Sequence, residues 1–186
     1  MSRILIVYGT AYGQTARVAQ RIAGVLTAAG HGVDLYQGDR LPRDLALAQY
    51  DGVLLAASVI MGHHQAYIRH FARRHAEELN RGRSAFVSVC GAASGSPTEA
   101  QGYIDALLRQ TGWQPKVTRS FTGAVAYTKY GWVTRLVLKA ISKRKGLSTD
   151  TSRDWDFTEW DEVERFGRTL AVTLTPTPAA PPVPAA

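Results

Sequence analysis

Arg3-Ile4-Leu5-Ile6-Val7-Tyr8-Gly9-Thr10-Ala11-Tyr12-Gly13-Gln14-Thr15 joins a short apolar run, a small polar turn and the start of an amphipathic helix. The run Ile4 to Tyr8 has the length and branched side chains of a buried strand. Behind it, Val18, Ile22, Val25, Leu26 and Ala29 recur at helical spacing, and Gly30 is placed to end the helix. A strand that passes through glycines straight into a helix is the opening half of a βα unit, the building block of a parallel sheet.

The pattern repeats along the chain. Strands are predicted at 3–8, 32–37, 52–57, 84–90 and 116–125, and helices at 13–29, 64–80, 98–111 and 158–173. Residues 38–50 contain Pro42 followed by a short helical pattern, so they read as a connecting turn. The expected fold is α/β: a flavodoxin-like, doubly wound, five-stranded parallel sheet in the order 2-1-3-4-5, with a basic aromatic insertion after strand 5. Such sheets bind ligands outside the carboxyl ends of their strands, which draws attention to the loops after strands 1, 3 and 4.

Composition sets outer bounds. With 186 residues, 45% of them hydrophobic and 20% charged, the chain has the make-up of one globular domain, expected over 1–174. Residues 175–186, TPTPAAPPVPAA, carry no charge and no aromatic residue, and read as an extended tail. The single cysteine, Cys90, excludes an intramolecular disulfide and points to a reducing, cytoplasmic setting. No window is apolar enough to span a bilayer, and the N-terminal run reads as a buried strand rather than a signal peptide. The net charge of +7 is concentrated, because no acid lies between Asp105 and Asp150 while Arg109, Lys116, Arg119, Lys129, Arg135, Lys139, Lys143, Arg144 and Lys145 all do. Such a patch attracts anionic partners. No helix-turn-helix, finger or RNA-stacking motif accompanies it, so nucleic acid is not the expected partner.

The loop after strand 1 carries the clearest chemistry. A phosphate monoester placed there meets unpaired backbone N–H groups and the positive end of a helix dipole. Thr10 and Thr15 add hydroxyls, and Gly9 and Gly13 allow close backbone approach. These features suit FMN. A P-loop needs a Lys beside the hydroxyl residue, and a dinucleotide fingerprint needs three glycines spaced G-x-G-x-x-G; neither is present. A phosphoacceptor receiver domain needs acids at the end of strand 1, which here reads Val7-Tyr8-Gly9-Thr10.

Two further loops complete the expected flavin site. Ser58, Val59, Ile60, Met61 and Gly62 follow strand 3 and offer apolar contact plus backbone donors and acceptors for a ring edge. Cys90, Gly91, Ala92 and Ser94 follow strand 4 and are small enough for a flat ring to lie across them. Cys90 reads as a buried strand-end residue rather than a nucleophile. His63 and His64 are adjacent and lack a third ligand at suitable spacing, so no metal is expected. In the segment 124–146, Trp132, Val133, Leu136, Val137, Ala140 and Ile141 would share one side of a helix whose other side carries Arg135, Lys139 and Lys143. Tyr127, Tyr130 and Trp132 at its start suit an interfacial anchor, and its lysines suit an anionic membrane surface. An ordinary surface helix packed on the sheet has the same pattern.

The loop GTAYGQT, the strand-3 loop ASVIMGHH and the insertion GAVAYTKYGWVTRLVLKAISKRKG together resemble the flavodoxin-like, quinone-dependent protoporphyrinogen oxidases of bacteria. The resemblance runs from Arg3 to Leu174 and includes HHQAYIRHFARRHAEELN and TDTSRDWDFTEWDEVERF. It implies FMN as cofactor, oxidation of protoporphyrinogen IX to protoporphyrin IX in haem synthesis, and electron delivery to menaquinone or ubiquinone from a peripheral position at the cell membrane. Carried over by position, Thr10 to Thr15 would hold the phosphate and Ser58 to Gly62 would border the ring. Tyr127, Lys129, Tyr130, Trp132, Arg135 and Lys139 would contact substrate or membrane, with Lys129, Arg135 and Lys139 steering carboxylates. Gly9 stands where a hydroxyl residue is common in that family. The same cofactor loop would also serve a flavodoxin-type electron carrier or an NAD(P)H:quinone reductase, and the state of assembly, including a homo-oligomer, stays open.

Overall fold

Alternate residues of the first strand face opposite layers. In the computed structural model, which describes residues 1–125 and 155–175, Ile4 and Ile6 pack in one buried cluster and Leu5 and Val7 in another. The next core strand does the same, with Leu54 and Ala56 on one side and Val53, Leu55 and Ala57 on the other. Helices therefore cover both faces of the sheet, and its central strands are apolar throughout, as a parallel sheet buried on both sides requires.

The elements are β1 (Arg3–Gly9), α1 (Gln14–Ala28), β2 (Gly32–Gln37), β3 (Gly52–Ile60), β4 (His63–His64), α2 (Ala66–Arg74), α3 (Ala76–Arg81), β5 (Arg83–Cys90), α4 (Pro97–Thr111), β6 (Val117–Thr122), β7 (Ala124–Val125), β8 (Trp155–Asp156) and α5 (Trp160–Thr173), with short 3₁₀ turns at Leu47–Gln49 and Gly91–Ser94. The main sheet runs β2-β1-β3-β5-β6 through parallel pairs, and β4 folds back antiparallel on β3. Helices α1 and α5 lie on the face of Ile4 and Ile6, where Val18, Ile22, Leu26, Val163, Phe166 and Leu170 join the cluster. Helices α2 and α4 cover the opposite face through Ile68, Phe71, Ile104 and Leu107.

The flavodoxin-like parallel α/β architecture is present, with local departures from the expected elements. The helix expected at 64–80 is two helices that meet at His75, whose ring stacks on Phe71 and bonds Glu78. His64, expected as the start of that helix, instead forms a short strand with His63. The last main-sheet strand ends at Thr122; beyond Gly123 the chain pairs Ala124 with Asp156 and Val125 with Trp155 in a separate antiparallel ribbon. Ala29 is exposed rather than part of the buried stripe, because α1 stops at Ala28 and Gly30 takes a left-handed turn at φ 86°. The insertion residues Tyr127, Lys129, Tyr130, Trp132, Arg135 and Lys139, and the tail 176–186, lie outside the described residues. Among the described residues no helix is long and apolar enough to cross a membrane, and no group of three or more His, Cys, Asp or Glu could hold a metal.

Gly9 closes β1 under α2. A Cβ there would lie 2.6 Å from Ile68 Cγ1, 2.9 Å from Gln65 Oε1 and 3.2 Å from Tyr67 Cε2. The absence of a hydroxyl side chain at this position thus has a steric cause in this chain. Gly9→Ala is expected to lower unfolding free energy by about 1–3 kcal/mol, the usual cost of overpacking, as measured by urea denaturation.

Candidate functional site

Three loops meet at the carboxyl ends of β1, β3 and β5, which are neighbours in the sheet. The first is Thr10 to Gly13. Gly13 adopts φ 96°, a left-handed conformation that glycine reaches without strain, and turns the chain into α1. The Gly13 N–H donates to Thr10 Oγ1 at 2.9 Å, and the Thr10 N–H donates to the Tyr67 hydroxyl at 3.2 Å. Thr10 therefore braces the loop with its hydroxyl. The opening N–H groups of α1 have no partner within the helix, and its first turn carries no acid. Thr15 is fully buried there, and its Oγ1 makes no hydrogen bond among the described residues. A buried hydroxyl normally finds a partner, so this one has a donor to spare for an acceptor brought to the start of α1. Gln14 does something else with its side chain, which turns away to Asp156 and Thr158.

The second loop is a hairpin. Ser58 Oγ accepts from Gln65 Nε2 at 2.6 Å, and Val59 and Ile60 pair with His64 and His63. Met61 at φ 49° and Gly62 at φ 81° form its two-residue turn, the doubly left-handed geometry that suits the twist of a tight hairpin. Met61 is 94% exposed and Ile60 is exposed beside it, an apolar tip at the mouth of the site. The hairpin is anchored by His64, which is 4% exposed, stacks edge-on to Phe86 and shares a 2.9 Å hydrogen bond between Nε2 and Ser88 Oγ. Burial, with Arg69 and His63 nearby, pushes the His64 pKa down to about 4, so the ring is neutral near neutrality.

The third loop is the 3₁₀ turn Gly91–Ser94 after Cys90. Cys90 is buried, and burial pushes its thiol pKa up, which suits a packing residue better than a nucleophile. Ala92 is buried beside it, Gly91 is exposed, and Ser94 donates its hydroxyl to the Gly91 carbonyl at 3.1 Å. Cys90, Ala92 and Ala100 form a small apolar cluster with Val59, Ala93 and Tyr103, and this cluster joins the second and third loops.

The fold thus gathers Thr10 to Thr15, Ser58 to Gly62 and Cys90 to Ser94 at one edge. Tyr67, Gln65, His64 and Tyr103 support these loops, and the sequence offers no pattern that singles them out. A separate groove of about 750 Å³ lies between residues 38–45 and α2, lined in part by Arg43, Arg69, Arg73 and Arg74; it includes none of the three loops.

A family model described as a flavodoxin domain matches residues 5–152. The chain belongs to this family. The expected resemblance to its protoporphyrinogen-oxidising members holds as well: the chain is 31% identical over 172 residues to the Escherichia coli K12 protein named protoporphyrinogen IX dehydrogenase [quinone], covering 91% of this chain and 94% of that one. A Leishmania major protein of the same name is 29% identical over 186 residues, covering 96% and 79%. Among solved structures, the flavodoxin of Streptococcus pneumonia TIGR4 superposes with a TM-score of 0.56 at 16% identity, covering 92% of this chain and 99% of that one. That likeness is one of fold. The flavodoxin fold is a flavin-binding fold, and the three loops described here lie at the carboxyl ends of its central strands.

Proposed function

We propose that this flavodoxin-domain protein is an FMN-dependent oxidoreductase that converts protoporphyrinogen IX to protoporphyrin IX and passes the electrons to a membrane quinone, menaquinone or ubiquinone. The observation that carries the reading is the near end-to-end match to proteins named for this reaction. The chain's own residues agree with the cofactor it needs. Thr15 offers a buried hydroxyl without a partner, and the first turn of α1 offers backbone N–H groups and a positive dipole end to a phosphate. Thr10 and Gly13 hold the loop in shape, while Ala11 and Tyr12 form its outer turn. Ser58, Val59, Ile60, Met61 and Gly62 on one side, with Cys90, Gly91, Ala92 and Ser94 on the other, would border the ring.

When bound, FMN would supply the redox chemistry, taking two electrons at a time from the reduced tetrapyrrole and passing them to a quinone, so that three such rounds and three quinones complete the six-electron oxidation. The protein's part is placement. The apolar tip at Ile60 and Met61 would exclude water and meet the flat substrate, and the backbone of the Met61-Gly62 turn would bond the ring's polar edge. Tyr127, Lys129, Tyr130, Trp132, Arg135 and Lys139 are proposed as the substrate and membrane contacts, with the cations on the propionates. Cys90 is buried and its thiol pKa is raised by burial, so it is not assigned as a general base.

The test is anaerobic mixing of the FMN-loaded protein with protoporphyrinogen IX, following loss of the flavin's visible absorption and growth of porphyrin fluorescence, with and without a menaquinone analogue. Bleaching by the tetrapyrrole and recovery on adding quinone are expected. Flavin that is reduced only by a nicotinamide nucleotide or a protein donor would overturn the reading.

A further inference from the structure

The stretch Trp155-Asp156-Phe157-Thr158-Glu159-Trp160 has so far no part in the site, yet Asp156, Thr158 and Trp160 all reach α1. Asp156 Oδ1 accepts from Gln14 Nε2 at 2.9 Å and from the Thr158 N–H at 3.0 Å, and its Oδ2 accepts from Arg17 Nη1 at 2.9 Å. Thr158 Oγ1 accepts from Gln14 Nε2 at 2.6 Å and donates to the Thr122 carbonyl at 2.9 Å. Arg17 also donates to Gln14 Oε1 at 3.0 Å and lies 4.9 Å from the centre of the Trp160 ring. Burial alone would raise the Asp156 carboxyl, but the bonds from Thr158 and Arg17 outweigh it and hold the group below its ordinary value.

Gln14 is the first residue of α1, next to Gly13 and Thr15. Its amide Nε2 donates sideways across 142 and 144 residues of chain, and its carbonyl accepts from Arg17 one turn along the same helix. A helix N-terminus that binds an anion through backbone N–H groups needs those groups at a fixed orientation, and an end residue held only by its own backbone frays. The network grips the end residue by its side chain and leaves its N–H on the loop side.

We propose that Asp156 and Thr158 are positioning residues for the cofactor: through Gln14 they fix the first turn of α1, and so set how tightly the phosphate is held. The inference rests on the FMN reading. It also joins the phosphate loop to β6, through Thr122, and to the β7–β8 ribbon, through Asp156 itself.

The measurement is the FMN dissociation constant, by quenching of flavin fluorescence, for Gln14→Ala, Asp156→Ala, Asp156→Asn and the double variant Gln14→Ala/Asp156→Ala. Each alanine variant is expected to weaken FMN by about tenfold, and the double by no more than either, because both cut one link. Asp156→Asn keeps an oxygen for Gln14 and Thr158 and should recover most of the affinity. Without flavin, hydrogen exchange at the Gly13 and Arg17 amides, bonded to Thr10 Oγ1 and the Gly13 carbonyl, should quicken in Asp156→Ala and stay slow in Asp156→Asn. Arg21→Gln serves as control: it breaks the 2.8 Å pair with Glu164 that joins α1 to α5 without touching Gln14, and should leave FMN affinity unchanged. If Asp156→Ala does not fold, Gln14→Ala and Asp156→Asn carry the test. Additive losses, or an Asp156→Ala protein of reduced stability but unchanged flavin affinity and exchange, would reduce the network to a staple between elements and overturn the proposal. A wild-type chain with no flavin affinity would instead overturn the FMN reading, and the exchange data would still decide whether Asp156 sets the order of the loop.

Discussion

Replacing Thr10 and Thr15 together by Val is expected to strip the flavin from the protein while leaving the fold in place. Two hydrogen bonds to a charged phosphate are at stake, worth about 1.5–3 kcal/mol each, so affinity should fall by about a hundredfold or more. The two positions separate in the flavin-free protein. Thr15 holds a buried hydroxyl with no partner, and Val is close to it in shape. Thr15→Val alone should therefore leave unfolding free energy unchanged or raise it by about 1 kcal/mol. Thr10 accepts the Gly13 N–H, so Thr10→Val should lower it by about 1 kcal/mol. Fluorescence titration and urea denaturation read the two effects separately. Wild-type flavin retention by Thr15→Val after gel filtration would remove this residue from the phosphate site.

Acid is expected to loosen the hairpin of Val59, Ile60, His63 and His64. His64 titrates near 6.5 in an unfolded chain and at about 4 here. The folded-state value is depressed, so the unfolded state binds the extra proton across that interval, and the stability His64 contributes is complete above about 6.5 and lost as pH falls toward 4. The shift corresponds to roughly 3 kcal/mol. Urea denaturation at a series of pH values should show this slope in the wild type and a shallower one in His64→Leu. Equal slopes would mean that His64 is charged in the folded protein. FMN retention should weaken only as pH approaches 4, where His64 of the folded protein takes up its proton, because His64 pairs with Val59 and holds the turn at Met61 and Gly62 in register.

What could be read from the sequence was whatever is local and periodic. The alternation of Ile4, Leu5, Ile6 and Val7, the stripe of Val18, Ile22 and Leu26, and the glycine-bounded turn before α1 announce the layers and the loop that leads into α1, because each signal lies within a few residues. The hairpin at Met61 and Gly62 was not legible: the turn lacks the Asn-Gly or Asp-Gly pair that marks its type, and the buried state of His64 depends on Ser88 and Phe86, remote in sequence. The break between α2 and α3 at His75 comes without Gly or Pro, so the apolar spacing of Ile68, Phe71, Ala72 and Leu79 reads as one helix. The role of Gln14 was hidden for a similar reason. A glutamine at a helix start looks like a phosphate ligand until Asp156 and Thr158, at the far end of the chain, are seen to occupy its side chain.

The two-residue pairing of Ala124–Val125 with Trp155–Asp156 has a further implication for how such a protein can change over time. It works as a seam. Its two strands are stitched to each other, and Asp156 ties the ribbon to α1 through Gln14 and Arg17. Changes in the number of residues between Val125 and Trp155 would therefore leave the ribbon and the neighbouring start of α1 in place. The same seam is where an engineer would graft a foreign recognition peptide onto this scaffold.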